Sequence, residues 1–110
     1  MPHRELCVVL ATVPDAEVGR RLARTLLDEG LIACANLVPG VVSLYRWEGE
    51  VQEEGETLLL LKSRMELVPR LLERIPELHP YELPEVLALP VAGGLPAYCR
   101  WVLDETEPRR

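Results

Sequence analysis

The chain has no phenylalanine among its 110 residues; its aromatics are 3 Tyr and 2 Trp. A core must therefore come from branched aliphatics, which a 48% hydrophobic composition can supply. Lys62 is the only lysine, and Asn36 and Gln52 are the only amides. The only histidines are His3 and His79, and Cys7, Cys34 and Cys99 lack Cys-x-x-Cys spacing. Neither a zinc ribbon nor a disulfide framework is indicated. No window approaches the roughly 20 apolar residues of a membrane span, and Met1-Pro2-His3-Arg4-Glu5 is no signal-peptide start, so the reading is cytoplasmic, with no membrane partner. A net charge of −6 argues against nucleic acid, which needs a concentrated basic footprint. Arg20, Arg21 and Arg24 come nearest to one, and they interleave along a helix as a solvated face. There is no Ser/His/Asp trio, Gly-rich phosphate loop or histidine pair, so a hydrolase or zinc enzyme is disfavoured and no catalytic residue is assigned.

What is present is strongly patterned, and the length predicts one domain over residues 1–110. Leu6 to Val13 is a continuous apolar run closed by Pro14, which predicts a buried strand. Asp15 then serves as N-cap for a helix with Val18, Leu22 and Leu26 on one face and Gly30 at its end. Leu31 to Val38 predicts a second strand, which Pro39-Gly40 interrupts as a bulge or bend. Val41–Trp47 and Glu50 to about Lys62 predict a hairpin around Glu48-Gly49, and Gln52–Glu56, its polar half, belongs outside the core. Ser63 with Glu66 reads as a capping box for a second helix carrying Leu67, Val68, Leu71, Leu72 and Ile75, which should kink or stop at Pro76. Pro84 to Val91 predicts the last main strand, Gly93-Gly94 a turn, and Pro96 the start of a terminal helix. The order β-α-β-β-α-β plus a closing helix is the α+β, ferredoxin-like split βαβ arrangement, an antiparallel sheet with two helices on one face and a protruding hairpin.

An arm from Glu50 to Arg64 would be roughly 50 Å long at about 3.3 Å per residue. A globule of this size has a diameter below about 40 Å. The hairpin therefore overhangs its own domain, carrying Tyr45 and Trp47 with bare ladder edges that demand a partner. Geometry alone says that the chain is not a monomer.

His79-Pro80-Tyr81-Glu82-Leu83-Pro84-Glu85 packs an imidazole, a phenol, two carboxylates and two prolines that lock φ into one stiff segment. Together with Thr12-Val13-Pro14, Ala33-Cys34-Ala35-Asn36-Leu37-Val38-Pro39-Gly40, Tyr45-Arg46-Trp47-Glu48-Gly49, Pro84-Glu85-Val86, Leu89-Pro90-Val91, and Tyr98 with Trp101, it resembles the divalent-cation tolerance family, CutA. The resemblance runs from about Val8 to Trp101. It implies a ferredoxin-like fold, a tight homotrimer whose hairpins bind neighbouring sheets, and tolerance of copper and other divalent metals through weak binding rather than catalysis. It also subtracts. Members linked to copper carry a cysteine before the Thr-x-Pro turn and a second histidine before His-Pro-Tyr, where this chain has Ala11 and Leu78.

His79 is the first candidate metal ligand, since imidazole suits copper and zinc, or a pH-sensitive hydrogen-bonding group; a helix cap with its ring against Tyr81 is the reading the sequence favours. Cys34 could join a copper site as thiolate, or pack in the core between two alanines. Glu82 and Glu85 could bind a hard cation, or pair with Arg46 or Arg64 as surface charge. His3 falls in a terminal segment. Tyr45, Trp47, Tyr81, Tyr98 and Trp101 are read as a subunit seam, where such side chains bury an apolar body and keep a polar handle. A competing function is a PII-like trimeric sensor with a small-molecule cleft along that seam.

Composition also bears on heat stability. The 10 prolines restrict the unfolded chain, amides are scarce, and an oligomer gains protection by mass action. Unfolding is expected above about 90 °C, the range counted as hyperstable. The midpoint should rise with protein concentration in a calorimetric scan. A transition near about 60 °C, or one indifferent to concentration under reversible conditions, would contradict this reading.

Overall fold

The computed structural model describes residues 5–109, so His3 lies outside the described residues. Four strands and three helices follow the expected order: β1 (Leu6–Val13), α1 (Ala16–Asp28), β2 (Cys34–Trp47), β3 (Glu50–Arg64), a 3-10 turn (Met65–Leu67), α2 (Val68–Leu78), β4 (Val86–Pro90) and α3 (Pro96–Glu105). The sheet order is β2-β3-β1-β4, antiparallel throughout, which is the ferredoxin-like arrangement.

Strand alternation decides which side chains meet the helices. Cys7, Val9, Ala11 and Val13 of β1 are buried, as are Leu59 and Leu61 of β3, and they pack with Leu22 and Leu26 of α1 and Leu71 and Ile75 of α2. Each fully buried aliphatic is worth about 1.5–3 kcal/mol relative to exposure. Gly19 makes this layer tight. A Cβ there would lie 3.0 Å from Leu59 Cδ2, 3.2 Å from Leu37 Cδ2 and 3.3 Å from Val13 Cγ2.

The ends of α1 follow from local chemistry. Its Val18 N–H donates to the Asp15 carboxylate at 2.9 Å, satisfying a free helix donor. At its other end Gly30, at φ +72°, closes a Schellman motif in which Leu31 N–H reaches Leu26 O at 2.9 Å and Gly30 N–H reaches Leu27 O at 3.0 Å. The hairpin turn places both Glu48 and Gly49 at positive φ, 50° and 83°, the two-residue geometry that suits twisted strands.

Several expectations about boundaries are corrected. The bulge expected at Pro39-Gly40 is present, between the pairs Val38↔Leu58 and Val41↔Glu56, but β2 runs on through it to Trp47 instead of ending at Val38. Leu31 and Ile32 are buried but precede the strand, which begins at Cys34. Ser63 caps no helix. It belongs to β3, pairs with Cys7, and its hydroxyl donates to the Leu31 carbonyl at 2.7 Å. The helix that follows has no side-chain cap and starts instead with proline in its first turn. Pro76 is accommodated inside α2, which continues to Leu78: so close to the helix end, one forfeited backbone bond on the exposed side is a small loss. β4 is shorter than expected because its ladder with β1 ends at Ala11↔Val86.

β1 meets β3 only from Thr57 onward, so Val41–Glu56 is a ribbon of two strands. It accounts for the elongated envelope of 44 × 27 × 22 Å. Gly19→Val is expected to cost about 1–3 kcal/mol by overpacking, read as a lower guanidinium midpoint. An unchanged midpoint would mean that α1 does not sit tightly on the sheet.

Candidate functional site

The segment after α2 turns His79 back onto the end of β1. His79 has extended backbone at the helix C-cap and is buried, at 7% exposure. Its Nε2 lies 2.7 Å from the Thr12 carbonyl, which can only accept, and its Nδ1 accepts the Tyr81 N–H at 3.1 Å. These partners put the ring proton on Nε2 and leave neither nitrogen with a free lone pair. The ring also packs on Tyr81, with centroids 4.7 Å apart. Within one subunit, a metal at His79 would have to displace one of these hydrogen bonds.

Tyr81 carries the network onward. Its hydroxyl donates to Glu56 Oε2 at 2.9 Å, and Tyr45 OH donates to Glu54 Oε1 at 2.7 Å. Glu54 and Glu56 are two apart on β3 and so share a strand face. Glu56 was expected outside the core with the rest of the polar half; it is 8% exposed, because Tyr81 covers it. Burial holds Tyr81 well above the ordinary tyrosine value, reinforced by its hydrogen bond to Glu56 and the charges of Glu56 and Glu54. Tyr45 is raised first by its hydrogen bond to Glu54.

Cys34 lies elsewhere. It is half-buried, and its ladder partner Lys62 places it on the sheet face opposite α1 and α2, so the core-packing reading is corrected. Lys62 pairs with Val8 and Leu58 with Thr12, which puts Cys34 roughly 13 Å along the sheet from the His79 contact at about 3.3 Å per residue. Glu82 and Glu85 are exposed. Arg64, suggested as their partner, pairs with Glu66 at 3.2 Å and Glu107 at 3.8 Å, and also donates to Thr106 and the Leu103 carbonyl. Among the described residues, no group of three or more His, Cys, Asp or Glu side chains could hold a metal ion. Tyr98 and Trp101 form an exposed pair of rings 5.7 Å apart on α3, and Tyr45 and Trp47 are exposed on the hairpin.

The structure thus links His79 to Tyr81 and Glu56 and sets the Tyr45–Glu54 pair on the same strand face, while Cys34, Glu82 and Trp101 stand apart. The acids at 54 and 56 were missed as site members. Their only sequence signal was spacing by two on a strand that also carries partners for tyrosine. A family model described as CutA1 divalent ion tolerance protein matches residues 7–105. The chain belongs to that family. It is 50% identical over 99 residues to the divalent-cation tolerance protein CutA of Thermus thermophilus, covering 90% of this chain and 96% of that protein. It is 46% identical over 99 residues to the chloroplastic CutA of Arabidopsis thaliana, covering 90% of this chain but spanning 54% of that protein. The crystal structure of CutA1 from Oryza sativa matches with a TM-score of 0.91 at 44% identity over 96% of each chain. The resemblance read from the motifs and the ferredoxin-like expectation therefore hold.

The raised tyrosines have a consequence at alkaline pH. An unfolded tyrosine loses its proton near 10.0, whereas folded Tyr81 keeps it to higher pH. The native state then binds more protons than the unfolded state, so stability falls as pH rises past that point. Denaturation followed across this range should show the decline, and Tyr81→Phe should flatten it. An equally steep decline in Tyr81→Phe would place the linkage elsewhere.

Proposed function

We propose that the chain works as a homotrimer in divalent-cation tolerance, binding copper or similar metals weakly where subunits meet and catalysing no reaction. One observation carries the assembly: the outer sheet face is apolar and largely open. Leu87 and Leu89 of β4 are 55% and 48% exposed, beside half-buried Val8, Leu10, Leu58 and Leu60. The other face of the ribbon exposes Val42 at 64%, Leu44 at 65% and Val51 at 67%. Apolar area on this scale marks an interaction surface. The outer edge of β2 also has no ladder partner among the described residues, and so long an unpaired edge needs covering. Closed assembly of like subunits meets both needs, with Tyr45, Trp47, Tyr81 and Trp101 in the seams. Three free cysteines suit a reducing, cytoplasmic setting.

Metal binding is placed between chains because one chain gathers too few ligands among its described residues. Exposed Glu82 and the hairpin acids supply oxygen donors, and His79 joins only by giving up a hydrogen bond, which makes the affinity low. The second reading, a PII-like sensor of a small molecule, is supported by the row of hydroxyl and carboxylate groups from Tyr81, Glu56, Tyr45 and Glu54 at the base of the ribbon. A stoichiometric organic ligand in native mass spectra of purified protein would favour it.

Light scattering should give three chain masses for the native protein. Trp47→Glu should dissociate or aggregate it, because an unpaired carboxylate in a dry seam costs several kcal/mol. An unchanged trimer in that variant would remove the hairpin from the interface. Copper calorimetry should give roughly micromolar affinity or weaker, reduced further by His79→Ala. Nanomolar binding at one per subunit, unaffected by His79→Ala, would contradict both the weakness and the residue.

A further inference from the structure

The helix side of the molecule holds a cavity of about 380 Å³ between α1 and the end of α2. One wall is a single stripe of α1, since Val18, Arg21, Leu22 and Thr25 fall at i, i+3, i+4 and i+7. The other is the run Glu77-Leu78-His79-Pro80. Buried Leu22, with Val18 and Leu78 packed against the core, makes the floor apolar. The polar groups divide by sign. Arg21 is exposed and pairs with no acid among the described residues, so its guanidinium can take a carboxylate through two parallel hydrogen bonds. The remaining groups accept. Glu77 holds Arg74 through Oε1 at 3.3 Å and keeps Oε2. α2 has no basic residue in its last turn, so its final carbonyls keep their partial negative charge. The Thr25 hydroxyl spends its proton on the Arg21 carbonyl at 2.9 Å, and its oxygen can then only accept. Both nitrogens of His79 are committed to Thr12 and Tyr81, which leaves the ring as a packing surface.

We propose that this cavity binds a free aliphatic amino acid, with its carboxylate on Arg21, its ammonium on Glu77 and the Thr25 oxygen, and its side chain on Leu22 and Leu78. A simple carboxylic acid would meet Glu77 with nothing to offer it, and a simple amine would face the charge of Arg21. A zwitterion satisfies both. The volume lies at the small end of the range of about 300–1,000 Å³ for small-molecule sites, which suits a ligand of this size. The cavity lies on the helix side of the sheet, so copies of the chain that cover the outer sheet face leave it open. It is separate from the phenols and carboxylates at the base of the ribbon, and it depends on neither the metal nor the trimer reading.

Leucine titrated into the native protein should shift the amide resonances of Val18, Arg21, Leu22 and Thr25 to saturation, with a Kd of about 1 mM or tighter. Leucinamide lacks the carboxylate and N-acetylleucine lacks the ammonium, and each should bind at least about tenfold more weakly. Arg21→Met, a change at an exposed position that leaves the fold intact, should weaken leucine about tenfold and leave leucinamide unchanged. Arg24→Met removes an equal charge one residue beyond the cavity lining and should leave leucine binding as it was. Absence of saturating shifts, shifts confined to residues outside the cavity, equal binding of the three compounds, or equal losses in Arg21→Met and Arg24→Met would overturn the proposal.

Discussion

An inequality of strand lengths governs the molecule outside its helix-side core. β1 has 8 residues and β3 has 15, so half of β3 can pair only with β2. The surplus projects as a ribbon, and the long edge of β2 is left without a ladder partner among the described residues. Burial of Val9, Ala11, Leu59 and Leu61 beneath two helices satisfies one sheet face; the other keeps its aliphatic side chains with only α3 packed at one end, around Leu6, Cys99 and Val102. Shortening the hairpin would remove the edge, but it would also remove Glu54 and Glu56, the acceptors for Tyr45 and Tyr81. Fold and site therefore share one constraint.

The bulge at Pro39-Gly40 makes the ribbon possible. Proline offers no N–H to the ladder, and without an extra residue every later side chain would change faces. With it, Val38 and Val41 pair on the same side as Leu58 and Glu56. Tyr45 then stands on the face of Glu54, and the carboxylate pair at the base of the ribbon meets two phenols rather than solvent alone.

Elements with a clean period were legible in the sequence: the apolar run of β1, the spacing by four in α1, the hairpin around Glu48-Gly49 and the proline start of α3. The failures occur where tertiary partners outweighed local chemistry. Ser63 and Glu66 carry a capping signature, yet the Leu31 carbonyl, exposed by the end of α1, takes the hydroxyl instead. Glu56 looks like a surface acid among acids, and only Tyr81, 25 residues away, buries it. His79 stood out in the sequence as a candidate metal ligand or helix cap. Its partner is a main-chain carbonyl 67 residues distant, which no side-chain pattern records.

The central claim is that other copies of the chain cover the outer edge of β2 and the open sheet face. Amide hydrogen exchange along β2 tests it most directly. Within one subunit, amides pointing toward β3 are bonded and those pointing outward are not. Slow exchange at both sets in the native protein, with the outward set released when the assembly is dissociated, is the predicted result. Rapid exchange of the outward amides under native conditions would contradict it.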